Sequence, residues 1–337
     1  MDEIVENLRA NEGLYRNIEV IFERHYRLGE PKNPRPDFVR KGETSERFVA
    51  QNGMIYLVHE EDLVNTDGKQ SREDKLFGYD GQKSRLLGQK TIANIQEGLI
   101  SRPPTFYPHD LSLPYHAFSE QPLSVYLAGG PELKALSKRF SQYEVKTTYV
   151  GEEDEAGLKC VKVRFDYKVG GRLDKYTSTR LFWLATDRNY LPVKTEYYRW
   201  ELPISKGWKP VEVGSLRDLR EIKPGIWMPM KSIVTLYDAN WLEEDRRLVV
   251  NNETEIVVKK VDLEPHYDVA FFRDIEFPDG ATVYNLKDGK IVKGYVKGAP
   301  AGSSSRSWRS RPWSYFAAAL ALSTGVVLYA RYGRRKA

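Results

Sequence analysis

Residues Val161 to Val169 alternate strictly: Val161, Val163, Phe165, Tyr167 and Val169 are apolar, and Lys162, Arg164, Asp166 and Lys168 between them are charged. A period of two sends successive side chains to opposite sides of an extended chain, so it specifies a strand with one dry and one wet face. Leu181–Tyr198 follows the same rule. The apolar run Leu181–Leu184 meets a polar knot, Thr186–Asn189; Leu191, Val193, Thr195 and Tyr197 then alternate with Lys194, Glu196 and Tyr198. Asp187 and Asn189 suit a turn because their short side chains bond nearby backbone and tolerate left-handed conformations. The pattern predicts a β-hairpin, with Pro192 near the start of its second strand, where a missing N–H costs least. Its first arm is apolar on both faces and is expected to be covered on both.

The rest of the chain extends this mainly β reading. Ile4, Val5, Leu8 and Tyr15 lie on one face of a predicted helix within Met1–Asn17. Ile18–Leu28 alternates as a strand. Arg47–His59 reads as two short strands around Asn52-Gly53, a hairpin dipeptide. The polar stretch Glu60–Lys75 reads as a loop. Leu76–Leu87 contains a second turn signal, Tyr79-Asp80-Gly81. Thr91–Ile100 reads as a short helix, and Pro103–Pro122, rich in proline and aromatics, as an irregular lid over a cavity. Leu123–Leu127 and Pro131–Phe140 read as helices. Tyr143–Val150, Val211–Ile222, Trp227–Tyr237 and Thr254–Leu263 supply more strands, with a turn at Gly170-Gly171 and a last hairpin over Thr282–Val296 about Asp288-Gly289.

Composition narrows the function classes. Tyr at 21 and Trp at 7 suit a strand-rich protein, and a net charge of +5, scattered along 337 residues, does not argue for nucleic acid. The single cysteine, Cys160, excludes an intrachain disulfide and a cysteine-based metal cage. It falls out of phase with Val161 and Val163 and is read as packed or half exposed. The five histidines, His25, His59, His109, His116 and His266, show no metal-ligand spacing; His109 and His116, with Asp110, share the proline-rich loop and read as surface or hydrogen-bonding groups. There is no nucleophile elbow, phosphate-cradling glycine loop or cofactor motif. Asp166, Asp174 and Glu196 read as wet-face charges, so no catalytic constellation emerges and the chain is expected not to be an enzyme.

The C-terminal stretch has a different character. Gly298–Arg311 is small, polar and basic and reads as a flexible linker. Trp313–Tyr329 is an uncharged apolar run flanked by aromatics and followed by Arg331, Arg334, Arg335 and Lys336. Its length is at the short end for a bilayer span, with the basic end on the cytoplasmic side; the alternative is a buried C-terminal helix. The expected layout is a domain over 1–297 with a helical or irregular insert at about 88–141, a linker over 298–312, a transmembrane helix over 313–330 and a basic tail over 331–337. The acidic start at Met1 is not a signal peptide as written. Placing the domain outside the cytoplasmic membrane therefore expects an export signal upstream of Met1.

Several short segments, taken in order, resemble one family. They are Tyr79-Asp80-Gly81; the Leu181–Tyr198 hairpin with Leu191-Pro192-Val193; Leu216-Arg217-Asp218-Leu219-Arg220 followed by Gly225-Ile226-Trp227-Met228-Pro229; and Phe271-Phe272 followed by Phe277-Pro278-Asp279-Gly280 and Val283. Together with the order of elements they resemble the outer-membrane lipoprotein carrier family, of LolA/LppX type, and its longer lipoprotein-sorting members of planctomycete type. The resemblance implies an incomplete barrel: one strongly curved antiparallel sheet whose open side is plugged by helices, with a hollow for acyl chains. It implies a noncatalytic protein of the cell envelope that binds lipid or lipoprotein acyl chains. The sequence departs from the family in lacking a visible signal peptide, in its larger insert and in its C-terminal span, which is expected to tether it to the membrane. The alternative is a membrane-anchored envelope-stress sensor or interaction module on the same fold, with an envelope protein as partner. Trp183, Tyr197, Trp227, Met228 and Met230 are the candidate cavity-lining residues; core packing is the commonest role for each, and as a set some are expected to face the hollow.

Overall fold

The computed structural model describes residues 1–32, 38–90, 95–99, 107–112, 122–129, 143–169, 177–287 and 290–298. Among the described residues fifteen strands form one sheet. β1 (Ile18–Leu28), β2 (Val39–Gln51), β3 (Met54–Asn65), β4 (Gln70–Tyr79), β5 (Ser84–Lys90) and β6 (Ile95–Leu99) make one meander. β7 (Tyr143–Glu155), β8 (Leu158–Val169), β9 (Thr177–Ala185), β10 (Leu191–Tyr198), β11 (Glu212–Lys223), β12 (Ile226–Tyr237) and β13 (Val250–Asp262) make a second. β1 pairs with β13 and fuses the two. A last hairpin, β14 (Thr282–Lys287) and β15 (Lys290–Val296), joins at β6, where β14 runs parallel to its neighbour; all other pairings are antiparallel. The edges β15 and β7 do not pair with each other, so the described sheet is not closed into a barrel.

The turns follow from their residues. Asn52 and Gly53 both take positive φ, 51° and 78°, between the paired Gln51 and Met54. That is the two-residue turn whose twist matches the flanking strands, and asparagine and glycine adopt it at least cost.

Helical pieces cover one face of the sheet, here called inner: α1 (Asp2–Gly13), a 3-10 turn at Pro108–Leu111 and α2 (Leu123–Ala128). Ile4, Val5 and Leu8 of α1 and Leu123, Val125, Tyr126 and Leu127 of α2 pack on Val161, Val163, Phe165, Phe182 and Leu184. Leu111 of the 3-10 turn packs with Ile18, Val20, Phe22, Phe48, Met228, Ile256 and Val258. The described residues also hold two short helices, α3 (Ala239–Asp245) and α4 (Val269–Arg273), and a 3-10 turn at Ile204–Lys206. α4 sits on the opposite, outer face, where Phe271 and Phe272 pack with Val49, Met54, Tyr56 and Tyr267. β9 is buried on both faces, as its apolar run predicts.

Several sequence expectations change. Glu60–Lys75 is not a loop: β3 continues to Asn65 and β4 begins at Gln70, with Glu60 opposite Asp74 and Asp62 opposite Arg72. Ile95–Leu99, within the stretch read as a helix, is strand β6. The strands flanking Asn52-Gly53 are also longer than predicted, because cross-strand charge pairs stabilise segments with no apolar face. The predicted helix over Pro131–Phe140, the Gly170-Gly171 turn, Asp174, His116 and the 299–337 linker, span and tail lie outside the described residues. No helix among the described residues is long and apolar enough to cross a membrane.

Candidate functional site

The inner face of β8–β11 is apolar apart from one polar centre. Residues in phase along a strand share a face, so Arg180, Phe182 and Leu184 point together towards the helices. On β10, Tyr197 lies opposite Arg180 and also opposite Glu212 of β11, so the two charged residues flank it. Their side chains meet across it: Arg180 Nη1 donates to Glu212 Oε1 at 2.7 Å, both side chains are 4% exposed, and the guanidinium lies 4.8 Å from the Tyr197 ring centroid. Tyr167 Oη donates to Tyr197 Oη at 3.1 Å. Burial works to lower the Arg180 pKa, but the Glu212 charge outweighs it and the guanidinium is held more firmly protonated.

Tyr126 of α2 covers this centre. Its ring stacks on Phe165 at 4.0 Å and meets Phe182 edge-on at 6.0 Å, and burial raises its phenol pKa well above the ordinary value, against the pull of Arg180. Two buried atoms here have no hydrogen-bond partner: Glu212 Oε2 and Thr195 Oγ1. Thr195 is opposite Gly214 on the same face, diagonal to Glu212. Gly214 is required by close approach: a Cβ there falls 2.4 Å from the Ser112 carbonyl oxygen and 2.6 Å from Thr195 Oγ1. A buried polar atom without a partner costs on the order of 1–3 kcal/mol, more when charged.

The covering pieces are fastened by carboxylates. Glu12 of α1 accepts from Ser124 N at 2.9 Å and Ser124 Oγ at 2.5 Å. Burial raises the Glu12 pKa, and the Ser124 bonds offset this only in part. Asp110 accepts from Tyr107 N at 2.9 Å. Burial pushes its pKa up to about 8, against that bond and the charge of Arg24. His109 lies 3.9 Å from Glu12 and 3.5 Å from Asp110, and its ring stacks on Tyr107. Ser232 Oγ donates to the Leu111 carbonyl, tying the 3-10 turn to β12. Beside α1, α2 and β7 opens a cleft of about 470 Å³, lined in part by Val5, Glu6, Leu127 and Val145.

Towards β1–β4 the inner face changes character. Arg24 Nε is 2.9 Å from Glu46; His59 lies 3.7 Å from Glu46 and 3.9 Å from Glu61; Lys75 Nζ is 3.2 Å from Glu73. Burial alone would lower the His59 pKa, but the neighbouring Glu46 and Glu61 carboxylates raise it to about 9. Among the described residues no group of three or more His, Cys, Asp or Glu is placed to hold a metal.

The structure separates the five sequence-predicted residues. Met228 is buried with Leu111 on the inner face, and Met230 packs against the same cluster. Tyr197 lies in the polar centre and packs with Leu202, Val211 and Leu242. Trp183 is on the outer face, packed with Cys160, Leu181 and Val193 beneath Lys162 and Lys194, and its indole N–H donates to Glu153. Trp227 is half-buried, with its carbonyl accepting from Tyr15 and its ring under Arg188. Cys160 is buried, and burial pushes its thiol pKa up to about 11. Arg180 and Glu212 were not singled out from sequence. The available signal was phase: Arg180 is in step with Phe182 and Leu184, so a wet-face reading of it conflicts with an apolar inner face.

No protein-family model matches the chain, and no curated protein matches it. Among solved structures it is similar to an outer membrane lipoprotein-sorting protein domain from Vibrio parahaemolyticus, at 11% identity over 80% of this chain and 94% of that one, with a TM-score of 0.40. A DUF1329 family protein from Desulfovibrio piger is similar at 13% identity over 80% and 96%, with a TM-score of 0.37. The lipoprotein LppX of Mycobacterium tuberculosis is similar at 8% identity over 79% and 99%, with a TM-score of 0.25.

Proposed function

We propose that this chain is a noncatalytic lipid- or lipoprotein-binding protein of the cell envelope that takes acyl chains against the inner face of β8–β11. The observation that carries the reading is the nature of the cover. α2 is six residues long, and Leu123, Val125, Tyr126 and Leu127 are all buried in the apolar layer of β8 and β9. A helix this short has little stability of its own, so its place depends on packing. An acyl chain entering the same groove buries comparable apolar area, at about 0.8 kcal/mol per methylene, and replaces the α2 side chains. The 313–330 segment holds the domain at the outer side of the cytoplasmic membrane in this reading, which suits capture of lipid at a bilayer surface.

Solvent extraction of the purified full chain, followed by mass spectrometry, tests this. Co-purified acyl lipid near one equivalent, displaced by added fatty acid, is the expected result. A lipid-free protein that also fails to bind a fluorescent fatty acid overturns the reading.

A further inference from the structure

The polar centre beneath α2 asks for a ligand of particular chemistry. Glu212 is 96% buried by its side chain, uses one carboxylate oxygen on Arg180 and leaves Oε2 with no donor. Thr195 Oγ1, diagonal to it on the same face and 1% exposed as a residue, has no partner either. The missing partner of a carboxylate oxygen is a donor, which a fatty-acid carboxylate or a fully ionised phosphate does not supply. An ammonium supplies three N–H groups, enough for both atoms. It also adds a positive charge to a neutral Arg180–Glu212 pair, and an unbalanced charge is costly in an apolar hollow. The same head must therefore carry an anion, and the guanidinium of Arg180 is the group suited to a phosphate.

We propose that Arg180, Glu212 and Thr195 receive the head group of a zwitterionic, primary-amine phospholipid, with its phosphate at Arg180 and its ammonium donating to Glu212 Oε2 and Thr195 Oγ1. The inference rests on the acyl-chain reading above: an acyl chain that displaces α2 also removes Tyr126, whose hydroxyl interacts with Arg180, and opens the centre to the head. The selectivity lies in the N–H donors, because a trimethylated nitrogen has the same charge and none of them.

The full chain in detergent is titrated with dioctanoyl phosphatidylethanolamine and with dioctanoyl phosphatidylcholine, and bound lipid is counted by native mass spectrometry. The ethanolamine lipid is expected to bind about tenfold more tightly, the scale of a buried charge-assisted hydrogen bond. Thr195→Val removes a hydroxyl that has no protein partner, so the free protein keeps its fold; the preference is expected to narrow to about threefold through the ethanolamine lipid alone. Equal or reversed affinities, or an unchanged ratio in Thr195→Val, overturn the head-group assignment and leave acyl binding standing. Binding of neither lipid overturns both.

Discussion

The two halves of the inner face obey one alternation and end in opposite electrostatic states. Across β8–β11 the inward positions are apolar, and Arg180–Glu212 is an island with two buried atoms unmatched. Across β1–β4 the inward positions are apolar at Ile18, Val20, Phe22 and Phe48 and then become Arg24, Glu46, His59, Glu61, Lys75 and Glu73, which pair with their neighbours in a ladder. A ladder of matched charges is at home beside water and repels hydrocarbon; an island in an apolar layer tolerates hydrocarbon around it. The difference makes each half respond differently to mutation and pH.

The largest expected effect is at the island. Arg180→Ala strands the Glu212 carboxylate and should cost about 3–5 kcal/mol in urea unfolding, whereas Arg180→Met with Glu212→Leu should recover most of it. A near-neutral Arg180→Ala would mean that the pair is wetter than its burial implies. Next comes Gly214→Ala, whose added methyl must push the Ser112 carbonyl and Thr195 aside, at about 1–3 kcal/mol. The loss should appear together with faster proteolysis near residues 107–112; an unchanged midpoint would show that the 3-10 turn is not seated there.

The pH response belongs to the other half. Asp110, at about 8 when folded against an ordinary 3.8, holds a proton that the unfolded chain has lost, so its contribution to stability falls as pH rises from about 4 to about 8. His59, at about 9 against 6.5, stabilises fully below about 6.5, and that contribution is lost as pH rises through 9. Urea midpoints should therefore decline from pH 5 to pH 9. Asp110→Asn should flatten the lower part of the decline and His59→Gln the upper; a midpoint that climbs with pH contradicts both assignments. The smallest effect is expected at the exposed Arg27–Glu253 pair, where Arg27→Ala should change stability by no more than about 0.5 kcal/mol at moderate salt.

Much of the sheet was legible because one face of most strands is apolar. Val161–Val169 and Leu181–Tyr198 declare their strands, and Asn52-Gly53 its turn. Glu60–Lys75 was not legible: both faces of β3 and β4 carry charge there, and the stabilising pairs, such as Arg72 of β4 with Glu60 and Asp62 of β3, come from a neighbouring strand that periodicity within one segment does not reveal. β6 and the helices α3 and α4 are short enough that tertiary contacts decide them. Trp183 and Tyr197 are both aromatic and both buried, yet they occupy opposite faces, because phase is set by pairing and not by hydrophobicity. Charge in phase with apolar neighbours, as at Arg180, was the overlooked clue.

The seam between β1 and β13 has a kinetic consequence. Ile18–Leu28 emerges early from the ribosome, but the strand that completes its second edge, Val250–Asp262, is made more than two hundred residues later. Until then the first meander waits with one side of β1 bare, a template for any stray extended chain. Joining ends so distant in sequence is slow, since the intervening chain must surrender its freedom before the contacts repay it. A nascent protein of this design is most vulnerable just before β13 arrives.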